Sequence, residues 1–168
     1  MEVKNKVALI TGATSGIGLA TATLLAEKGV KIALLGRTSE DVDSCAKKLA
    51  KKGAEVLPIV ADISQPEEMQ SAYAEVIKKW KRLDIVFANA GINGVWAPID
   101  EIEPNDWDQT LDINLKGTFL TVKYAVPHLK KKGGSIIITH RHQDKRSARH
   151  QKLESGGSRF SFLDFTAR

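Results

Sequence analysis

Residues 6–18 read KVALITGATSGIG, and this stretch decides the fold. Lys6–Thr11 is a short run of strand-forming residues, apolar on both faces. It passes directly into Thr11-Gly12-Ala13-Thr14-Ser15-Gly16-Ile17-Gly18 and then into a helical period. A pyrophosphate needs this succession, because it supplies backbone N–H groups at close range and the positive end of a helix dipole. Glycine permits the tight turn and the close approach, and Gly18 lets helix and strand pack together. Gly12, Thr14, Ser15, Gly16, Ile17 and Gly18 are therefore candidate binding residues.

Downstream, the same alternation repeats. Lys31–Leu35, Glu55–Ala61, Asp84–Asn89 and Ser135–Thr139 are further short runs rich in Val and Ile. Between them lie helical stripes: Ile17, Ala20, Leu24, Leu25; Val42, Cys45, Ala46, Leu49; and Met69, Ala72, Tyr73, Val76, Ile77, Trp80. Ser64 and Glu67 have capping-box spacing, with Pro66 in the first turn. A long helical region from about Asn105 to Lys132 is expected to bend near Pro127. Five strands alternating with helices predict an α/β fold, a doubly wound parallel sheet of Rossmann type that stops after the fifth strand.

Three more motifs follow in order. Asp62-Ile63 ends the third strand, Asn89-Ala90-Gly91 ends the fourth, and Asp112-Ile113-Asn114-Leu115 lies in the long helix. Together with T-G-x-x-x-G-I-G, whose spacing differs from the usual G-x-G-x-x-G, they resemble the short-chain dehydrogenases/reductases over residues 1–139. The resemblance implies a nicotinamide dinucleotide cofactor, with Asp62 and Ile63 at the adenine. It makes Asn89, Ala90 and Gly91 the wall of the cleft and gives Asn89 the further task of tying neighbouring strands. Asn114 is the family's helix asparagine, which holds a water in the proton relay. As residues alone, Asp62 also reads as a strand-end carboxylate satisfying backbone, and Asn114 as an amide that bends its helix.

Cofactor choice turns on Leu34-Leu35-Gly36-Arg37-Thr38. NAD-specific relatives place an acid at the end of the second strand for the ribose 2′-hydroxyl. Here Gly36 holds that position and Arg37 follows, and a guanidinium offers a planar donor fork to a 2′-phosphate. This predicts NADP(H) over NAD(H), and Gly36→Asp is expected to reverse the preference by charge repulsion.

The family's catalytic Ser and Tyr-x-x-x-Lys have no match. Ile77 lies four residues beyond Tyr73 and His128 four beyond Tyr124, and the serine would fall near His140 or Arg141. Of the family's four catalytic residues only Asn114 has a counterpart. After Thr139 the text changes abruptly: His140–Lys152 (HRHQDKRSARHQK) has one small apolar residue, followed by SGGS and a Phe160, Phe162, Phe165 cluster. Residues 1–139 therefore read as an incomplete dinucleotide-binding domain and 140–168 as a basic, disordered tail that adds no strand. The abruptness predicts a change of reading frame or an exon junction, with an evolved tail as the other reading. Three functions stand side by side: an NADP(H)-dependent oxidoreductase of alcohols and carbonyls by descent, a nucleotide-binding half-domain without turnover, and a product without function as written.

Composition excludes several classes. The formal charge is +5, but seven Lys and Arg against three acids put +4 of it beyond Thr139, so the first 139 residues are near neutral. No specific nucleic-acid partner is expected from that distribution. Val7–Ala26 carries no charge, yet its threonines and glycines make it too polar for a secretory leader. No stretch is apolar enough to span a bilayer. The single cysteine, Cys45, excludes an intrachain disulfide and fits a cytoplasmic protein, and its place on a helical stripe predicts burial. His140, His142 and His150 lie in a polar, shapeless segment, so no metal site is expected. The sequence leaves oligomeric state open.

Overall fold

The computed structural model describes residues 3–141 and 158–165. In chain order it contains β1 (Val7–Thr11), α1 (Gly16–Glu27), β2 (Lys31–Gly36), α2 (Ser39–Lys51), β3 (Val56–Val60), α3 (Pro66–Trp80) and β4 (Ile85–Ala88). Then α4 (Pro104–Leu111) runs through a wide π turn, Asp112–Lys116, into α5 (Gly117–Leu129), followed by β5 (Gly134–Arg141) and β6 (Ser158–Phe165). The sheet order is β3-β2-β1-β4-β5-β6, parallel throughout except that β6 pairs antiparallel with β5. Strand order reverses between β1 and β4, and a crevice opens there beyond the carboxyl ends of the strands.

Alternation along the strands builds two cores. Val7 and Leu9 of β1 face one side with Leu35, Ile59, Val86 and Ile136, covered by Met69, Tyr73 and Val76 of α3 and Leu120 and Leu129 of α5. Ala8 and Ile10 face the other with Ile32, Leu34 and Phe87, covered by Ala22 of α1 and Val42, Cys45 and Leu49 of α2. Each fully buried Leu or Ile contributes about 1.5–3 kcal/mol, so these two layers dominate what holds the sheet. At the edge opposite the crevice, Asp84 accepts from Val7 N (2.8 Å) and from both Arg82 Nε (2.9 Å) and Nη2 (2.6 Å). Its own backbone pairs with Val7 and Ser135, stapling β1, β4 and β5.

Three expectations need correction. Residues 158–165 do form a strand: the apolar edge of β5 presents unpaired backbone groups, and a segment containing three phenylalanines has the strand propensity to take them up. Residues 142–157 and 166–168, with His142 and His150, lie outside the described residues, as does the side chain of His140. On α1, the buried residues are Gly18 and Ala22, while Ile17 and Leu24 are exposed, because small residues bring this helix closest to the sheet. The capping box does not form. Gln65 is the N-cap of α3, and Ser64 Oγ donates instead to the nearer acceptor, Asp62 Oδ1 (2.7 Å). The long helix also carries a wide π turn at Asp112–Lys116 that the sequence did not signal, and Pro127 lies inside the last turns of α5.

Candidate functional site

Thr11, the last residue of β1, is 1% exposed and organises the floor of the crevice. Its hydroxyl accepts from Asn89 N (3.0 Å) and Ala90 N (3.1 Å) and donates to Phe87 O (3.4 Å). Asn89, the residue after β4, answers with its Nδ2 donating to Thr11 O (3.2 Å) and Gly12 O (3.3 Å). The two strand ends are thus locked where the sheet order reverses.

The turn that follows has no room for side chains at two of its glycines. Gly12 has φ +62°, and a Cβ there would meet Ala90 Cα at 2.8 Å. A Cβ on Gly18 would strike the carbonyl oxygen of Gly12 and Asn89 Nδ2. Gly16 has φ +51° with open space around it. Ser15 is the N-cap of α1 yet makes no side-chain capping bond, and the first turn holds no acid. An anion therefore meets an uncapped helix terminus with no opposing charge. These features fit a dinucleotide pyrophosphate.

A cleft of about 150 Å³ opens over this floor, lined by residues including Gly12, Thr14, Gly36, Arg37, Asp62 and Ile63. Ala90 and Gly91 form part of the same wall. Ser15, Gly16 and Ile17 stand exposed at the helix terminus, while Gly18 and Asn89 act from beneath as packing and tie. Arg37 is exposed at the rim. Asp62 uses Oδ1 to accept from Ser64 N (2.9 Å) and Ser64 Oγ, and its own N–H donates to Glu68 Oε2 (2.7 Å). Asp62 thus satisfies strand-end backbone and also lines the cleft.

Asn114 lies in the π turn, exposed, and exchanges two bonds with one peptide. Its Nδ2 donates to Ile92 O (2.8 Å) while its Oδ1 accepts from Ile92 N (2.8 Å). The segment after Gly91 is thereby held against the helix, and a Cβ on Gly91 would come within 3.0 Å of Asn114 Oδ1. Widened helical turns recur at functional sites, since they re-aim one residue. Sequence reasoning did not single out Leu35, Ala61, Ile92 and Ile113, which complete the apolar lining. Their signal was adjacency to the motifs.

Neither tyrosine reaches this cleft. Tyr73 is buried between α3 and α5, donates to Thr121 O (2.6 Å) and stacks on His128 at 6.2 Å. Burial pushes its phenol far above its ordinary value. Tyr124 packs 6.5 Å from the same ring. The end of β5, where the resemblance expects a serine, holds His140 and Arg141. Among the described residues no cluster of His, Cys, Asp and Glu is arranged to hold a metal ion.

A parallel sheet that reverses order over a glycine-rich, uncapped helix terminus defines an α/β fold of Rossmann type. The chain belongs to the short chain dehydrogenase family, whose model matches residues 6–151. That match runs past Thr139, where the sequence pattern breaks. An uncharacterized oxidoreductase of Listeria monocytogenes is 36% identical over 140 residues, covering 83% of this chain and 56% of the relative. Human dehydrogenase/reductase SDR family member 4 is 34% identical over 134 residues, covering 80% and 48%. A 3-ketoacyl-ACP reductase from Sinorhizobium meliloti superposes with TM-score 0.77 at 50% identity, covering 79% of this chain and 52% of its own. An NAD+-bound xylitol dehydrogenase superposes with TM-score 0.75 at 33% identity, covering 78% and 50%. The chain therefore spans about half the length of the proteins it matches. The family is one of oxidoreductases that bind nicotinamide dinucleotides, and no helix among the described residues is long and apolar enough to cross a membrane.

Proposed function

We propose that this chain is the cofactor-binding part of an NADP(H)-dependent oxidoreductase of alcohols and carbonyls, and that by itself it binds the dinucleotide without turnover. The observation that carries the cofactor choice is the end of β2. Gly36 brings no charge to the cleft, and Arg37 stands exposed at its rim as a cation for the 2′-phosphate. Gly12, Thr14, Ser15, Gly16 and Ile17 would receive the pyrophosphate, with Gly18 fixing the helix that presents it. Asp62 and Ile63 would flank the adenosine, Asn89, Ala90 and Gly91 the nicotinamide side, and Asn114 would hold a relay water only where the other members of the relay are supplied. When bound, the nicotinamide supplies or accepts hydride.

The absence of turnover rests on the phenols. The chemistry needs an acid/base beside the carbonyl, and Tyr73 and Tyr124 lie in the helix layer, with Tyr73 bonded to Thr121 O. The lone buried thiol of Cys45 is consistent with a cytoplasmic setting. The partners in this reading are the dinucleotide alone, with neither nucleic acid nor membrane.

Fluorescence titration of the purified chain tests both halves. NADPH is expected to bind more tightly than NADH, and Arg37→Ala to weaken NADPH by about tenfold with little effect on NADH. Equal affinities that Arg37→Ala leaves untouched would overturn the cofactor choice. NADPH oxidation that copurifies with the chain over an alcohol and ketone panel would overturn the second half.

A further inference from the structure

We infer that Thr14, backed by Val42, is a specificity-determining residue, excluding any side chain at position 36 and so barring the acid that an NAD(H) site needs. This deepens the NADP(H) reading and rests on it. Gly36 is buried at the end of β2 with an ordinary backbone, so its conformation alone does not demand glycine. The space around it does. A Cβ built there would lie 2.7 Å from Thr14 Cγ2 and 2.9 Å from Val42 Cγ2, well inside the roughly 3.5–4.0 Å at which carbon atoms pack best.

Neither wall yields readily. Val42 is fully buried in the core beneath α2, and β-branched side chains are stiff at χ1. The Thr14 backbone is held, because Cys45 Sγ of α2 donates to Thr14 O at 3.4 Å and Ala13 N donates to Leu35 O at 3.0 Å, so relief would have to come from rotation about χ1, which β-branching restricts. The glycine-rich turn, the end of β2 and α2 therefore form one packed unit. In it the methyl of Thr14 occupies the volume through which an acidic side chain would leave the backbone. Gly36→Asp, which charge alone predicts to swap the cofactor, instead strains the turn that both cofactors share.

The test is a double-mutant cycle on the full chain, read by melting temperature and by titration with NADPH and NADH. Gly36→Ala is expected to lower Tm by about 4 °C or more, with part of the loss recovered in Thr14→Ser/Gly36→Ala, since serine lacks only the offending methyl. Gly36→Asp is expected to weaken both cofactors by about tenfold, and Thr14→Ser/Gly36→Asp to regain NADH binding but not NADPH binding. Additive effects of the two positions on Tm, or a Gly36→Asp single variant that already prefers NADH, would overturn the inference while leaving the cofactor reading intact. A wild-type chain that binds NADH as tightly as NADPH overturns the cofactor reading and this inference together, whatever the melting data show.

Discussion

His128 illustrates how one ring ties packing to pH. Burial first, and Lys131 second, hold its imidazole below the ordinary value, where it stacks on Tyr73 between the two helices. The unfolded chain takes up a proton near pH about 6.5, before the folded chain does, so stability falls as pH drops through that point toward the folded value. Glu55 behaves similarly at lower pH. Hydrogen bonds from Lys31 and Trp80 hold its carboxyl below the usual range, giving stability that is present above about pH 4.3 and lost as pH falls further. His128→Gln should flatten the change in Tm between pH 7.5 and 5.5 and leave the loss below pH 4.5 in place. An unchanged slope in the upper window would show that His128 does not report on this interface. Residues of this kind were invisible in the sequence, because burial and neighbours set their behaviour. The glycines were legible, since strand–turn–helix adjacency already implied close contact at Gly12 and Gly18. Thr11 was quoted without its role, because its three hydrogen bonds reach Phe87 of β4 and the residues Asn89 and Ala90 just past it, 76 to 79 positions along the chain.

Among the elements, the parallel strands were legible because a strand covered on both faces must be apolar throughout, a rule that does not bind β3, at the sheet edge with Pro58 and Val60 exposed. The faces of α2 and α3 were legible too, with Val42, Cys45, Ala46 and Leu49 and then Met69, Ala72, Tyr73 and Val76 buried as spaced. The face of α1 was not. Hydrophobicity pointed to Ile17 and Leu24, whereas close approach to the sheet selected Gly18 and Ala22. The largest miss was β6, whose pairing is supplied by β5 rather than by any strong local pattern. Its ladder sets Ile137 opposite Phe162 and Arg141 opposite Ser158. Amide exchange along β5 should therefore be slow on both sides of the strand. Phe162→Pro, incompatible with a ladder position, should speed exchange in Ile136–Thr139 with little effect in β1. Fast exchange on the outer side of β5 in the wild-type chain would refute the β5–β6 pairing.

For the molecule as a whole, the floor of the crevice joins residues far apart in sequence, and this bears on the order of events in time. β1 meets β2 only 24 positions on, at Val7 and Lys31, but meets β4 through Leu9 and Val86, 77 positions on. Closing the longer loop sacrifices more chain entropy before any contact rewards it, so β1–β2–β3 is expected to assemble before β4 docks. The Thr11–Asn89 lock is then a late arrival, absent from the rate-limiting barrier. On the proposed reading, a dinucleotide bound over that lock would act as a latch on a finished structure and not as a template for making it. Saturation with NADPH at 100 times its Kd should slow unfolding by about 100-fold and leave the refolding rate unchanged. Refolding that quickens with cofactor would place the lock early instead. On the expected order, a nascent chain is committed to its topology before any ligand would have somewhere to sit, and a bound cofactor would govern how long the fold endures once made.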